Sequence, residues 1–385
     1  MGEVAHAVLR ANSGYELVLL DRLTGDEREP LTNDGEVYGI LRPFPGSDLE
    51  PRTASTDTAL LFLTLREPQM VPAYVRGRLG DDTDRVIARL VLDGVLEIER
   101  DGEFVSGPRA GQVLLNDRSI DGRGCIGSLS TAALRYGQEL AAIGLTEQAL
   151  ALRLYGYGRR PVTPGLASLL GKAKAIEDHF GIGVGSASRR SLEAGWVRVP
   201  SKLGEQPYWR NWQARRRRGG DGGKEGGFKL YVSPSLEALA EVFRAVAGSL
   251  VGARGISAFK LGIDVHGLCR PDKLVVYFDR LEDLQDGATT LLGEIDGAPA
   301  HGVPFTATVT SDGLLSWGVD PPLLDGSRTS WRYWVSERLA EYLVSSAIAE
   351  IEPWQFALER LRLTGIDTDT WIPANGMWEQ ALAGA

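Results

Sequence analysis

Apolar residues recur along this chain with two different periods, and the changes of period mark its elements. Leu236, Leu239, Ala240, Phe243, Val246 and Leu250 return every three or four positions, which puts one apolar face on a helix over 236–250. Val86, Ile87, Leu90 and Val91 do the same on a shorter helix. Phe228-Lys229-Leu230-Tyr231-Val232 and Leu274-Val275-Val276-Tyr277-Phe278 are rich in β-branched and aromatic side chains and read as strands. Tyr15 to Leu20 alternates enough to suggest another.

The first hundred residues have a clear order. A helix over 58–65 ends at Glu67-Pro68, and a second over 71–79 ends at Gly80. Asp81-Asp82 caps a third, where carboxylates favour the positive helix start, and Gly94 closes it. A hairpin follows over 95–105, with Asp101-Gly102 as its turn. Three helices and a hairpin make a winged-helix-like recognition module over 1–115. Asp81, Asp82, Asp84 and Asp93 outnumber Arg85 and Arg89 around the third helix, which disfavours contact with phosphates of DNA. A structural role and recognition of a peptide or protein, by adding a strand at the wing edge, both stay open.

Beyond 115 the pattern is mixed. Residues 130–155, 165–180, 236–250, 281–294 and 336–351 read as helices, between strands at 228–232 and within 255–278. Trp331, Tyr333 and Trp334 form an aromatic lead-in to the last helix. The expected class is α+β: the N-terminal module, then a domain over 116–385 with a mainly antiparallel sheet and helices. Residues 219–227 hold six glycines in nine positions, which lose much backbone entropy on ordering, so 214–227 reads as a mobile loop or hairpin tip. Arg215, Arg216, Arg217 and Arg218 lead into it, as a peptide-binding patch, a nucleic-acid arm or a solvated tip.

Composition narrows the functional classes. A net charge of −9 argues against a general binder of nucleic acid or acidic membranes. No apolar run is long enough to span a membrane, and residues 1–20 lack the basic start and apolar core of a signal peptide. Cys125 and Cys269 are the only cysteines, which suits a reducing cytoplasm. The four histidines lie far apart, and no metal, nucleotide or other cofactor motif is present.

The richest stretch is 255–278, two strands around a charged turn. Lys260, Arg270, Asp272 and Lys273 sit at strand ends or in the turn, from which cations facing one cleft would make an anion site. A solvated turn with a surface ion pair is the other reading of that spacing.

Ala258-Phe259-Lys260-Leu261 and Arg270-Pro271-Asp272-Lys273-Leu274-Val275-Val276-Tyr277-Phe278 resemble the HopA-type effector-like family. So do Leu154-Tyr155-Gly156-Tyr157 with Arg160-Pro161-Val162-Thr163-Pro164, Gly227 to Val232, Gly302-Val303-Pro304-Phe305-Thr306, Gly313-Leu314 through Asp320-Pro321, Gly365-Ile366-Asp367 and Trp371-Ile372-Pro373. The motifs run in order over about residues 140–378. The resemblance implies either a bacterial effector delivered into host cells or a relative found in lanthipeptide and other modified-peptide gene clusters. There the family is thought to remove phosphate from phosphoserine or phosphothreonine in a precursor peptide, giving dehydroamino acids or thioether rings. A precursor peptide and a peptide kinase are the partners it implies.

One departure matters. The family's arginine near residue 335 is Val335 here, and its glycine falls on Arg332. Either Arg332 replaces the missing cation or the lyase chemistry is lost. For elimination, Lys260 would be the base, because burial and neighbouring arginines push a lysine towards neutrality. Arg270 and Arg332 would hold phosphate, Asp272 would support them, and His266 or Tyr277 would serve as acid. A non-catalytic peptide- or protein-binding protein is the alternative, and a DNA-binding regulator a weaker third reading.

Overall fold

The computed structural model describes residues 4–31, 36–47, 49–115, 124–199, 209–215, 227–321 and 329–374. The chain divides into two units, Met1–Ser119 with Tyr342–Thr364, and Ile120–Glu341 with Gly365–Ala385. Residues 342–364 thus group with the first unit, where the sequence reading gives everything beyond 115 to the second.

In the first unit the helices are Thr56–Thr64, Ala73–Leu79 and Thr83–Leu92, followed by strands Leu96–Arg100 and Glu103–Val105. Asp101 and Gly102 take φ values of 52° and 85°, the left-handed pair that a two-residue hairpin turn needs. Leu9–Ala11 pairs with the first hairpin strand, leaving Glu103–Val105 at the sheet edge. A second sheet joins Tyr15–Leu19, Val37–Pro43 and Arg52–Ser55. The expected aspartate cap is not made. Asp82 makes no side-chain cap hydrogen bond to the third helix and pairs instead with Arg85 at 2.9 Å, while the Thr83 hydroxyl donates to the Gly80 carbonyl at 2.6 Å. Helix Pro353–Leu363 completes the unit, with Arg360 paired to Asp93.

The second unit is built on a seven-stranded sheet. Its order is Ala307–Thr308, Leu315–Val319, Phe228–Val232, Leu274–Phe278, Ile256–Gly262, Trp209–Ala214 and Trp196–Val199, with every neighbouring pair antiparallel. Helices Leu239–Ser249 and Leu281–Ile295 contribute Phe243, Val246, Leu284 and Leu291 to the core on one face. Phe259 is fully buried there, stacked on Trp212 at 4.8 Å and edge-on to Trp196 at 4.7 Å. Burying such a ring contributes about 1.5–3 kcal/mol, and each aromatic pair about 0.5–1.5 more.

Several element boundaries differ from the sequence reading. The stretch 130–155 is two helices, Gly124–Ala142 and Glu147–Tyr155, because Gly144 turns at a φ of 84° and Thr146 starts the next helix. The stretch 165–180 is likewise Pro164–Leu170 and Ala173–His179. Trp209–Ala214 is a sheet strand that leads into the stretch read as a mobile loop. Trp331, Tyr333 and Trp334 belong to helix Trp331–Ser345 itself. Residues 216–226, with most of the glycine-rich stretch, lie outside the described residues.

Candidate functional site: a cationic sheet face

Strand alternation sends Phe259 and Leu261 into the core and therefore sends Lys260 to the opposite face. Across the sheet, Lys260 stands opposite Asn211 on one side and Val275 on the other, and Val275 in turn stands opposite Tyr231. In the adjoining row Tyr277 stands opposite Lys229. Tyr231, Val275 and Val303 pack together as a small apolar floor, with Tyr277 against it.

The Lys260 amine lies 4.2 Å from the Trp209 ring centroid and 5.5 Å from that of Tyr277. No described residue takes a hydrogen bond from it. Burial first, and the Lys229 charge second, push its pKa down to about 7. The Lys229 amine donates to Asp320 at 2.6 Å.

Arg270 lies between two rings, 5.0 Å from Tyr155 and 5.1 Å from Trp209. Its Nε and Nη2 donate to the two oxygens of Asp272, both at 2.8 Å. The Tyr155 hydroxyl also donates to Asp272, at 3.3 Å. Burial alone would raise the Asp272 pKa, but Arg332 and Arg270 outweigh it and hold the carboxyl far below its usual range. Backbone contact brings the turn back over the strand: a Cβ on Gly262 would lie 2.4 Å from the Gly267 carbonyl carbon.

Beside this cluster a second buried amine makes two hydrogen bonds. Lys273 donates to the Pro234 carbonyl at 2.8 Å and to His301 Nδ1 at 2.9 Å. His301 Nε2 then donates to the Gly158 carbonyl at 2.7 Å, which ties down the turn after Tyr155. Burial lowers Lys273 to about 7, and burial with the Lys273 charge lowers His301 to about 4.

The structure brings Lys260, Arg270, Asp272, Arg332 and Tyr277 together, but not all in the roles the residue types suggest. Arg332 is 1% exposed, and its nitrogens go to the Pro304 carbonyl at 3.1 Å, the Tyr155 carbonyl at 2.9 Å and Asp272 at 2.9 Å. It braces the site through Nε and Nη2, while Nη1 makes no hydrogen bond among the described residues. Val335 is wholly buried. His266 is exposed on the short helix Val265–Leu268, and no described hydrogen bond or ion pair joins it to the cluster. Arg215 Nε donates to the Glu193 carbonyl at the end of helix Ala187–Gly195, so it serves that helix end. Arg216, Arg217 and Arg218 lie outside the described residues.

Lys229, Tyr231, Tyr155, Trp209 and Asp320 are the site residues that sequence reasoning passes over. The signal for the first two is parity: Leu230 and Val232 are core, so Lys229 and Tyr231 face the other way. Lys229, Arg270 and Arg332 set three cationic side chains against the carboxylates of Asp272 and Asp320, with the Lys260 amine among them. Such a face attracts an anion and offers it a near-neutral base. Among the described residues no cluster could hold a metal ion, and no helix is long and apolar enough to cross a membrane.

No family model matches the chain, and no curated protein matches it. Solved structures do. An effector protein from Pseudomonas syringae pv. tomato strain DC3000 is 13% identical, with a TM-score of 0.42 over 64% of this chain and 97% of that one. An effector protein from Pseudomonas syringae pv. syringae strain 61 is 12% identical, with a TM-score of 0.41 over 65% and 100%. The type III effector and phosphothreonine lyase OspF from Shigella flexneri is 12% identical, with a TM-score of 0.27 over 34% and 74%. At these TM-scores none of the three assigns a function.

Proposed function

We propose that the second unit eliminates phosphate from phosphoserine or phosphothreonine in a ribosomally made precursor peptide. The product is a dehydroamino acid, which a cysteine thiol can close to a thioether ring. One observation carries the reading: Lys260 holds an amine near neutrality, without a hydrogen bond, beside a braced arginine. In the reaction the neutral amine takes the Cα proton, the C–H electrons form the Cα=Cβ bond, and the Cβ–O bond breaks with its electrons on phosphate. Arg270, positioned by Asp272, and Lys229 stabilise the charge that builds on the leaving group. Asp272 and Arg332 keep the guanidinium of Arg270 where it is.

The surrounding assignments are part of the same proposal. The first unit, a winged-helix-like module, recognises the peptide, with the outer edge of Glu103–Val105 as the place for an added strand. A peptide kinase acts beforehand. The setting is cytoplasmic, and both Cys125 and Cys269 are free thiols.

The test is product identity. The protein is incubated with a peptide carrying one phosphoserine or phosphothreonine and the product is weighed. Loss of the elements of phosphoric acid supports elimination; a restored hydroxyl would show hydrolysis and overturn it. The second reading, a non-catalytic peptide- or protein-binding protein, draws on Arg332 being buried with two of its nitrogens on backbone carbonyls. Saturable binding without turnover would establish it.

A further inference from the structure

Elimination, as proposed above, leaves one proton without a source. Breaking the Cβ–O bond of a phosphomonoester dianion places a third negative charge on the departing phosphate, which makes it a strong base. His266 is exposed and outside the cluster, and Tyr277 presents its ring to the Lys229 and Lys260 amines, 5.5 Å from each.

We propose that the Tyr231 hydroxyl delivers the proton to the departing phosphate oxygen, an inference that rests on the elimination reading. Tyr231 occupies the same cross-strand row as Lys260, with Val275 between them. Adjacent strands lie about 4.8 Å apart, so the two backbones are separated by roughly 10 Å. A phosphorylated side chain between them turns its Cα proton to one side and its bridging oxygen to the other.

The surroundings of the hydroxyl fit this role. Val275 and Val303 hold the ring. The ionisable groups facing it are Asp320 after strand Leu315–Val319, Arg332 on helix Trp331–Ser345, Tyr155 at the end of helix Glu147–Tyr155, and Asp272 in the turn. Burial first, and Asp320 second, raise the phenol well above its ordinary value. It is therefore still protonated at the near-neutral pH where Lys260 loses its proton. No described residue hydrogen-bonds its hydroxyl. For packing alone a phenylalanine would serve as well.

The step balances. Lys260 gains the Cα proton, Tyr231 loses its phenolic proton to the bridging oxygen, and the products are the dehydro residue and hydrogen phosphate. Solvent then returns the proton from the ammonium to the phenolate.

The test compares the full chain with Tyr231→Phe and with fluorinated tyrosine at 231, using a phosphoserine peptide as substrate. Tyr231→Phe is expected to lower kcat by about 10²-fold or more with KM little changed. A fluorinated phenol of lower pKa, which keeps the fold, is expected to bring an alkaline limb into the rate profile. A structural role would produce no such limb. An active parent with Tyr231→Phe equally fast, or with no limb for the fluorinated protein, overturns the inference alone. A parent that eliminates nothing overturns the elimination reading as well.

Discussion

Arg270 and Asp272 are joined by two parallel hydrogen bonds, Nε to Oδ1 and Nη2 to Oδ2, each 2.8 Å long. Arg332 reaches the same carboxylate at 2.9 Å with 1% of its surface exposed. One buried anion therefore serves two guanidiniums. Removing its charge leaves Arg332 buried beside a neutral group, and breaking a buried pair in this way costs about 3–5 kcal/mol. Asp272→Asn is expected to lose stability on that scale in urea unfolding. A loss below about 1 kcal/mol would show that the carboxylate is not the brace described here.

Arg332 and Arg270 are expected to respond differently. Arg332→Met removes bonds to the Pro304 and Tyr155 carbonyls and should first appear as lost stability. Arg270 keeps 17% of its side chain exposed, so Arg270→Ala should first appear as weaker binding of a phosphoserine peptide. Paired measurements of unfolding free energy and peptide affinity separate the two. Equal losses of affinity at equal stability would contradict the division of roles.

Lys260→Met should abolish elimination while leaving phosphopeptide binding largely intact, because loss of the base acts on the transition state more than on the ground state. It should also change the pH dependence of stability. Folded Lys260 titrates at about 7 against an ordinary 10.5, so between those values the unfolded chain binds more protons. Stability therefore rises with pH across that window, and Lys260→Met should remove part of the rise. Lys273 supplies a further part, since it too is lowered to about 7. An unchanged slope in the variant would contradict the assignment.

At the acid side the sign is the same, and stability again rises with pH. His301 is lowered to about 4 from 6.5, so its neutral form is favoured by the fold and the unfolded chain binds more protons between those values. Its contribution is complete above 6.5 and is lost as pH falls towards 4. His301→Gln should flatten that part of the acid profile, as measured by thermal unfolding at several pH values. A profile identical to that of the parent would show that the Lys273–His301 link does not hold the proton as described.

What the sequence disclosed about this site depended on distance along the chain. Lys260, Arg270 and Asp272 were legible because one hairpin carries them all, and a charged turn between apolar strands is a local signal. Lys229 and Tyr231 were half legible: their strand was plain, yet its direction of facing needed the partner strands. Tyr155 and Trp209 come from a helix end and a strand remote in sequence, and only the folded sheet brings them to Arg270. Arg332 was legible as a cation but not as a buried one: its Nε and Nη2 go to backbone carbonyls from remote segments, while Nη1 lies beside Asp272 without a hydrogen bond among the described residues. The helix break at Gly144 was readable from the glycine but was outweighed by apolar residues on both sides.

The charge state of one amine decides the account. Its direct measurement is an NMR titration of the Lys260 side chain, assigned by comparison with Lys260→Met. The account requires a midpoint near the value of about 7 that burial and Lys229 impose. A midpoint close to that of an ordinary lysine, about 10.4, would mean an ammonium at neutral pH and no base for the Cα proton.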